Sequence, residues 1–221
     1  MTEPPITVRT LTLSGQLPYC GVTLLSYTIA YPELVPARGC LPALNRHWRQ
    51  EALSYARYCR GRLFRQAAAQ YRDDLRHGYP VRVFEAVQVL EVTYLHACIL
   101  SLYFDRYEYT GGAHGTTARQ SETWQLDRCR PVPLQKLVCH PPGPEAYLLP
   151  AVAAAIRRES ELYFDDAPEL ARETFRPERF YCRPEGLVLY YGQYDIAPYA
   201  AGIREFLFPY TDCVKNPETL C

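Results

Sequence analysis

The sequence predicts an α+β fold, in which one long helix and one shorter helix pack on a face of an antiparallel sheet. Apolar residues recur at every third or fourth position over residues 44–75, which is the period of an amphipathic helix. They alternate with polar residues over 81–94 and 98–110, which is the period of a strand with one buried face. Helices lying beside a meander of strands define the α+β class.

The N-terminal part of the chain is β-rich and leads into the long helix. Short β-like runs are expected at 6–13 and 21–31, followed by a loop rich in proline and glycine. The helix over 44–75 carries arginines on its polar faces and ends before Gly78 and Pro80. Because acidic residues dilute these arginines, a solvated helix face is favoured over a nucleic-acid surface.

Three strands form the predicted meander. The runs at 81–94 and 98–110 are followed by a third at 116–126, and residues 110–115 form the turn before it. A loop at 140–144 follows the meander. In the first run, four valines share one parity and are expected on the buried face: Val81, Val83, Val87 and Val89.

The C-terminal part adds helices and short strands. A second helix is predicted at 145–164 and a short third helix at 168–175. Strands are expected at 179–182, 186–194 and 205–208. The sequence shows no internal repeat, which is evidence against a solenoid or a propeller.

Composition excludes several classes of partner. The 24 basic and 24 acidic side chains cancel, so the chain as a whole has no attraction for nucleic acid or an anionic membrane. No apolar run reaches the roughly 18 to 20 residues that span a bilayer, and the N-terminus lacks a secretory signal. The chain as written is therefore expected to be cytoplasmic.

The nine cysteines show neither CxxC pairs nor the Cys/His spacing of a zinc site. Cys59 and Cys98 fall on apolar faces, where a thiol behaves as a small hydrophobe. Reduced structural thiols are the favoured interpretation. One or two disulfides in an exported protein remain the alternative.

Two unusual segments carry the functional prediction. The first motif, residues 107–115, contains Tyr109-Thr110-Gly111-Gly112-Ala113-His114-Gly115. The second motif, residues 194–202, reads Tyr194-Asp195-Ile196-Ala197-Pro198-Tyr199-Ala200-Ala201-Gly202. Each places tyrosines and one titratable side chain beside glycine or proline, which allow tight turns and close approach. We expect the two motifs to meet at one end of the sheet as a composite patch.

Three roles are open for His114. It could stabilise the glycine-rich turn by hydrogen bonds, contact a ligand, or act as a catalytic or metal-binding group together with Asp195. A metal site needs three or four ligands at defined spacing, and no HxH, HExxH or DxD pattern accompanies this histidine. The sequence therefore predicts no metal and no cofactor.

Both motifs resemble a domain of unknown function found in two kinds of bacterial protein. It forms the extracytoplasmic lysozyme-sensing part of Firmicute anti-sigma factors, and it accompanies the catalytic domain of certain peptidoglycan deacetylases. Tyr31-Pro32-Glu33-Leu34 resembles the companion domain that precedes it, so residues 1–40 are expected to form an N-terminal β-rich segment and 41–221 an α+β core domain. The resemblance, which covers about 6–210, implies an extracytoplasmic location and, for the anti-sigma members, direct lysozyme binding.

The resulting prediction is a non-catalytic recognition module that binds a lysozyme-like protein or a cell-wall glycan. Tyrosine suits such a role because it joins a large apolar ring to a hydroxyl group. The alternative is a hydrolase or metal-dependent enzyme centred on His114 and Asp195. The candidate binding residues are Tyr109, Gly111, Gly112, His114, Tyr194, Asp195, Pro198 and Tyr199.

Overall fold

The structure is a computed structural model that describes residues 4–139 and 141–221. The chain forms two compact units. Unit 1 comprises the chain up to Leu90 together with Phe104–Thr117, and unit 2 comprises Glu91–Tyr103 and Ala118–Cys221. The expected domain boundary at residue 40 stays a prediction. The loop expected at 140–144 begins at His140, which lies outside the described residues.

The helices and strands follow the predicted order closely. The α+β class is confirmed, and the predicted strands and main helices are found, although the first strand continues to Tyr19 and the second main helix already ends at Arg158. The elements are β1 (Thr7–Tyr19), β2 (Val22–Val35), α1 (Leu41–Tyr58), a π-helical turn (Cys59–Leu63), α2 (Phe64–His77), β3 (Phe84–His96), β4 (Ile99–Tyr109), β5 (Thr116–Gln125), β6 (Arg130–Pro131), α3 (Leu134–Leu137), α4 (Pro144–Arg158), a 3₁₀ turn (Ser160–Leu162), α5 (Ala167–Glu173), β7 (Phe180–Arg183), β8 (Gly186–Tyr191), a 3₁₀ turn (Tyr199–Ala201), β9 (Arg204–Pro209) and a 3₁₀ turn (Pro217–Leu220).

The strands form two sheets. Six strands are ordered β1-β2-β3-β4-β5-β6, and three are ordered β7-β8-β9. The larger sheet is mostly antiparallel, but β2 and β3 run parallel, with Leu25 opposite Phe84. The long helix connects these two strands and acts as their crossover, because parallel neighbours cannot be joined by a tight turn.

The long helix is continuous from α1 through the π-helical turn to α2, as predicted. Its buried face includes Trp48, Ala52, Cys59 and Leu63, all at most 1% exposed. The π-helical turn at Cys59–Leu63 inserts one residue into the usual helical repeat while keeping Cys59 and Leu63 in the core. The helix ends at Gly78, whose φ of 67° is the left-handed conformation expected of a C-terminal cap.

The expected burial of the valines in the first β run is wrong. Val81 and Val83 precede β3 and are exposed, and Val89 is 52% exposed. The buried positions are the even ones, including Phe84 and Gln88. Gln88 can occupy the core because its amide donates to the carbonyl of Ala30 at 2.8 Å and accepts from Arg106 at 2.6 Å.

Unit 2 has its own core between its helices and the smaller sheet. Side chains of α4 and α5 pack against those of β8 and β9; they include Leu148, Val152, Ile156, Ala167, Ala171, Leu189, Tyr191 and Phe206. Within the described chain, no helix is both long and apolar enough to cross a membrane.

The cysteines are partly oxidised. Cys98 forms a disulfide with Cys221, so the interpretation of Cys98 as a small hydrophobe is corrected, and the alternative of disulfides that the sequence left open is found. Cys40 and Cys129 are also disulfide-bonded. Five cysteines carry thiols: Cys20, Cys59, Cys139, Cys182 and Cys213.

Candidate functional site

Glu108, near the start of the first motif, has a carboxylate that binds two tyrosines of the long helix. Tyr55 and Tyr58, three residues apart on α1, donate their hydroxyls to the two oxygens of Glu108 at 2.9 and 3.1 Å. Their rings stack with centroids 5.9 Å apart. Burial and then the charge of Glu108 raise the pKa of Tyr55 well above its usual value. Both tyrosines therefore remain protonated donors at neutral pH.

Arg106 extends this network into the sheet of unit 1. Its guanidinium lies 4.8 Å from the ring centroid of Tyr55, while its Nε donates to Gln88. The thiol of Cys59 lies close by, and burial, followed by the charge of Glu108, raises its pKa to about 12. A thiol with that pKa is not a nucleophile at neutral pH. The group therefore holds the long helix to β3 and β4, and sequence reasoning missed it because its members are distant in sequence.

The glycine-rich turn of the first motif rests on Arg82. Gly111 has φ 85°, a left-handed conformation that favours glycine, and its backbone packs against the Arg82 side chain. Arg82 donates to the carbonyl of Gly111 at 2.9 Å and forms an ion pair with Asp74 at the end of α2. The Asp74 side chain is fully buried, and Gln70 also donates to it at 2.9 Å. The turn is thus anchored to the long helix through one guanidinium.

The remaining residues of the first motif differ in exposure. Gly115 is buried, and a Cβ there would lie 2.4 Å from the ring of Tyr107, so this position requires glycine. Gly112 and His114 are exposed, and Tyr109, the last residue of β4, is half-buried. The Nδ1 atom of His114 lies 3.2 Å from the carbonyl oxygen of Gly115, within the same turn.

The second motif follows β8 and is closed by Asp195. Its Oδ2 atom accepts from the backbone N–H of Gly192 at 2.8 Å and pairs with the guanidinium of Arg179. Ile196 and Ala197 are buried in the core of unit 2, and Ile196 accepts a backbone hydrogen bond from Phe164 at 3.2 Å. The backbone of this motif is therefore held both by the hydrogen bonds of Asp195 and by the burial of Ile196 and Ala197.

Two tyrosines of the second motif form an aromatic pair at the surface. Tyr194 is 52% exposed, and its ring centroid lies 5.8 Å from that of the half-buried Tyr199. Tyr194 also has φ 65°, which is uncommon for a bulky residue. Exposed Pro198 precedes the 3₁₀ turn that carries Tyr199. A strained residue held by its surroundings is a reason to look for function there.

Other tyrosines near the motifs have structural roles. Arg119 lies 3.7 Å from the ring centroid of Tyr103 and 5.7 Å from that of the buried Tyr190, and it pairs with Glu205. Tyr191 is buried and donates to the carbonyl of Ala171 at 3.0 Å. These rings surround a cation or fill the core of unit 2, so they are not available as a binding surface.

The first motif lies in unit 1 and the second in unit 2. That they form one composite patch stays a prediction. Over residues 4–139 and 141–221, no group of three or more His, Cys, Asp or Glu side chains is arranged to hold a metal ion.

Two family profiles match separate segments of the chain. Residues 22–117 match the family described as Deacetylase PdaC, and residues 141–211 match the family described as Protein of unknown function (DUF3298). The first motif falls in the PdaC-like segment and the second in the DUF3298-like segment. The resemblance found in the sequence is thus confirmed for a domain of unknown function combined with a deacetylase-related segment. A comparison with curated proteins finds no match.

Solved structures share the fold. A DUF3298 family member from Bacteroides fragilis NCTC 9343 has a TM-score of 0.68 at 19% identity, covering 93% of this chain and 90% of that one. A DUF3298 family protein from Pseudomonas aeruginosa PAO1 has a TM-score of 0.64 at 20% identity, covering 97% and 96%. At these identities the similarity shows the fold alone.

Proposed function

We propose that this chain is a non-catalytic recognition module that binds a lysozyme-like protein or a cell-wall glycan. The observation that carries the proposal is the surface contact between exposed Tyr194 and half-buried Tyr199 on a loop that the core of unit 2 holds in place. Tyrosine rings contribute large contact areas at a low cost in conformational entropy, and they are enriched at binding hot spots. The resemblance to lysozyme-sensing and peptidoglycan-deacetylase-associated domains supplies the two expected ligand classes.

The rigidity of the second motif supports binding by this pair. Asp195, held by Arg179 and the Gly192 N–H, closes the loop, while the buried Ile196 holds its centre. A surface that is already ordered loses little entropy on association. The tyrosines are therefore presented in a conformation that a ligand does not have to induce.

The alternative, an enzyme centred on His114 and Asp195, has weaker support. Oδ2 of Asp195, the candidate base, accepts hydrogen bonds from Arg179 and from Gly192, which hold the carboxylate against its own loop. The Nδ1 atom of His114 faces the carbonyl of its own turn. These contacts are those of residues that shape loops.

Titration calorimetry tests the proposal. The purified chain is titrated separately with lysozyme and with soluble peptidoglycan fragments, and binding to one of them is expected. Tyr194→Ala and Tyr199→Ala should each weaken that binding by roughly tenfold or more, which is the range of hot-spot residues. Absence of binding to both ligands at high micromolar concentration would overturn the proposal.

A matched control exists in unit 1. Tyr79 is 57% exposed and stacks on His77 with centroids 5.6 Å apart, so it is also a surface aromatic pair. Tyr79→Ala should leave the affinity unchanged. If it weakens binding as much as Tyr199→Ala, the ligand recognises exposed aromatic side chains without preference for the second motif.

A further inference from the structure

The C-terminal segment of unit 2 pairs with the chain that follows α3. Val138 and Val214 form an isolated antiparallel bridge. On either side of it, the N–H of Cys139 donates to the carbonyl of Cys213 at 3.0 Å, and the N–H of Lys215 donates to that of Leu137 at 2.8 Å. This pattern places Cys139 and Cys213 directly opposite each other.

The two cysteines share the solvent face of this pairing. Val138 and Val214 are at most 2% exposed, so their side chains point to the core, and the adjacent Cys139 and Cys213 lie on the other side of the bridge. Cys139 is accordingly exposed and Cys213 half-exposed. Residues that face each other on antiparallel segments have Cα atoms about 4.5–5.5 Å apart, which lies inside the roughly 4.4–6.8 Å range of disulfides.

The other thiols of the chain are placed differently. Cys59 and Cys182 are buried, and burial raises the pKa of each to about 12. Cys20 is exposed, but it lies in the turn between β1 and β2 of unit 1. Cys139 and Cys213 are thus distinguished by exposure together with direct pairing across two segments.

We propose that Cys139 and Cys213 form a thiol-oxidation site, which a low-molecular-weight disulfide such as oxidised glutathione converts to a further disulfide. The thiolate of one cysteine attacks the oxidant, forming a mixed disulfide and releasing one glutathione thiol. The thiolate of the other cysteine then attacks the protein sulfur of that mixed disulfide and releases the second glutathione. Two protein thiols lose two electrons and two protons, and the oxidant is reduced to two thiols.

The new bond restrains the C-terminal segment from Cys213 to Cys221, whose last residue already forms a disulfide. Cys221 is bonded to Cys98. Asn216 and Glu218, which lie between Cys213 and Cys221 in the sequence, accept hydrogen bonds from Tyr94. These two residues also line a cavity of about 380 Å³ together with residues of β3. Oxidation at Cys213 therefore fixes both ends of the segment that forms one wall of this cavity.

Thiol mapping on the full chain tests the proposal. The untreated protein and protein incubated with oxidised glutathione are alkylated with iodoacetamide, digested without reduction and examined by mass spectrometry. Before oxidation, Cys20, Cys139 and Cys213 should be alkylated. Afterwards, Cys139 and Cys213 should resist alkylation and appear as one linked peptide that has lost two hydrogen atoms, while Cys20 should carry a separate glutathione adduct or remain reactive.

Single variants separate a paired site from two independent thiols. In Cys213→Ser, Cys139 should accumulate as a stable mixed disulfide with glutathione, because no second thiol resolves it. Cys20→Ser should still form the linked peptide. Stable glutathione adducts on both Cys139 and Cys213 of the unsubstituted chain would overturn the proposal.

Thermal unfolding gives a second readout. Oxidation should raise the Tm of the unsubstituted chain, because a cross-link reduces the conformational freedom of the unfolded state. The same treatment should leave the Tm of Cys213→Ser unchanged. An equal shift in both proteins would show that the effect arises elsewhere and would contradict a stabilising bond between these residues.

Discussion

Arg82 joins the buried Asp74 to the carbonyl of Gly111, so a single guanidinium links the end of the long helix to the glycine-rich turn. Asp74 receives a further hydrogen bond from Gln70. A buried carboxylate needs such partners, because an unpaired charge in the interior is costly. The conformation of the first motif therefore depends on a helix residue that is distant from it in sequence.

This arrangement predicts a pH dependence of stability. Hydrogen bonds from Arg82 and then from Gln70 hold the pKa of Asp74 below its usual value of 3.8. A group whose folded pKa is lowered contributes stability that is fully present above the unfolded pKa and is lost as the pH falls through the folded pKa. The chain should be more stable than Asp74→Asn at pH 7, and this advantage should shrink below about pH 4.

Urea unfolding of both proteins from pH 2 to pH 7 measures the advantage. Arg9→Gln is a suitable control, because the Arg9–Glu33 pair is exposed and is worth less than about 1 kcal/mol. A gap between the chain and Asp74→Asn that stayed constant over the whole pH range would contradict the assigned role of the Asp74 charge.

The tyrosine hydroxyls on Glu108 predict a measurable coupling. Tyr55→Phe should destabilise unit 1 by about 1.5–3 kcal/mol, the range for a hydrogen bond to a charged group. In a Glu108→Gln background the same change should cost less, because the charged acceptor is absent. A double-mutant cycle by chemical unfolding measures the difference. Equal costs in both backgrounds would place the effect of Tyr55→Phe outside this hydrogen bond.

The first motif also predicts a contrast between two glycines. A Cβ at Gly115 would lie 2.4 Å from the Tyr107 ring and 2.7 Å from the carbonyl oxygen of Glu108, whereas at Gly112 its nearest neighbour would be 3.7 Å away. Gly115→Ala should therefore destabilise the chain by about 1–3 kcal/mol, as overpacking does. Gly112→Ala should change stability by less than about 0.5 kcal/mol. Thermal unfolding of the two variants compares them, and equal stabilities would argue against a close approach of Tyr107.

Local periodicity predicted most of the fold, but not the interactions between distant residues. The helix around Trp48 and the strands that lead to the first motif repeat their apolar residues with a clear period, so their positions could be read directly. The burial of Gln88 could not be predicted, because its partners Ala30 and Arg106 come from other strands. The parallel pairing of β2 with β3 could not be predicted from the sequence either, because periodicity does not identify which strand lies beside which.

At the candidate site, too, local features could be predicted and contacts between distant residues could not. The exposure of Tyr194 was not predicted, but a tight turn at the second motif was expected from its proline and glycine. The ion pair of Asp195 with Arg179 was not, because no local pattern connects two charges on either side of a hairpin. Sequence therefore indicated where the turns lie, whereas the exposure of their side chains and the contacts that fix them required the fold.

Tyr194 predicts opposite effects on stability and on binding. Its φ of 65° strains a residue with a bulky side chain, and asparagine tolerates this conformation better. Tyr194→Asn should therefore raise the free energy of unfolding by up to about 1 kcal/mol while weakening the binding of lysozyme or of peptidoglycan fragments. Tyr199→Ala should weaken binding without any gain in stability, because Tyr199 lies in a 3₁₀ turn with ordinary backbone angles. Urea unfolding and calorimetry on the same preparations measure both quantities. A Tyr194→Asn variant that is more stable and binds as tightly as the unsubstituted chain would mean that the strain at this position serves no binding function.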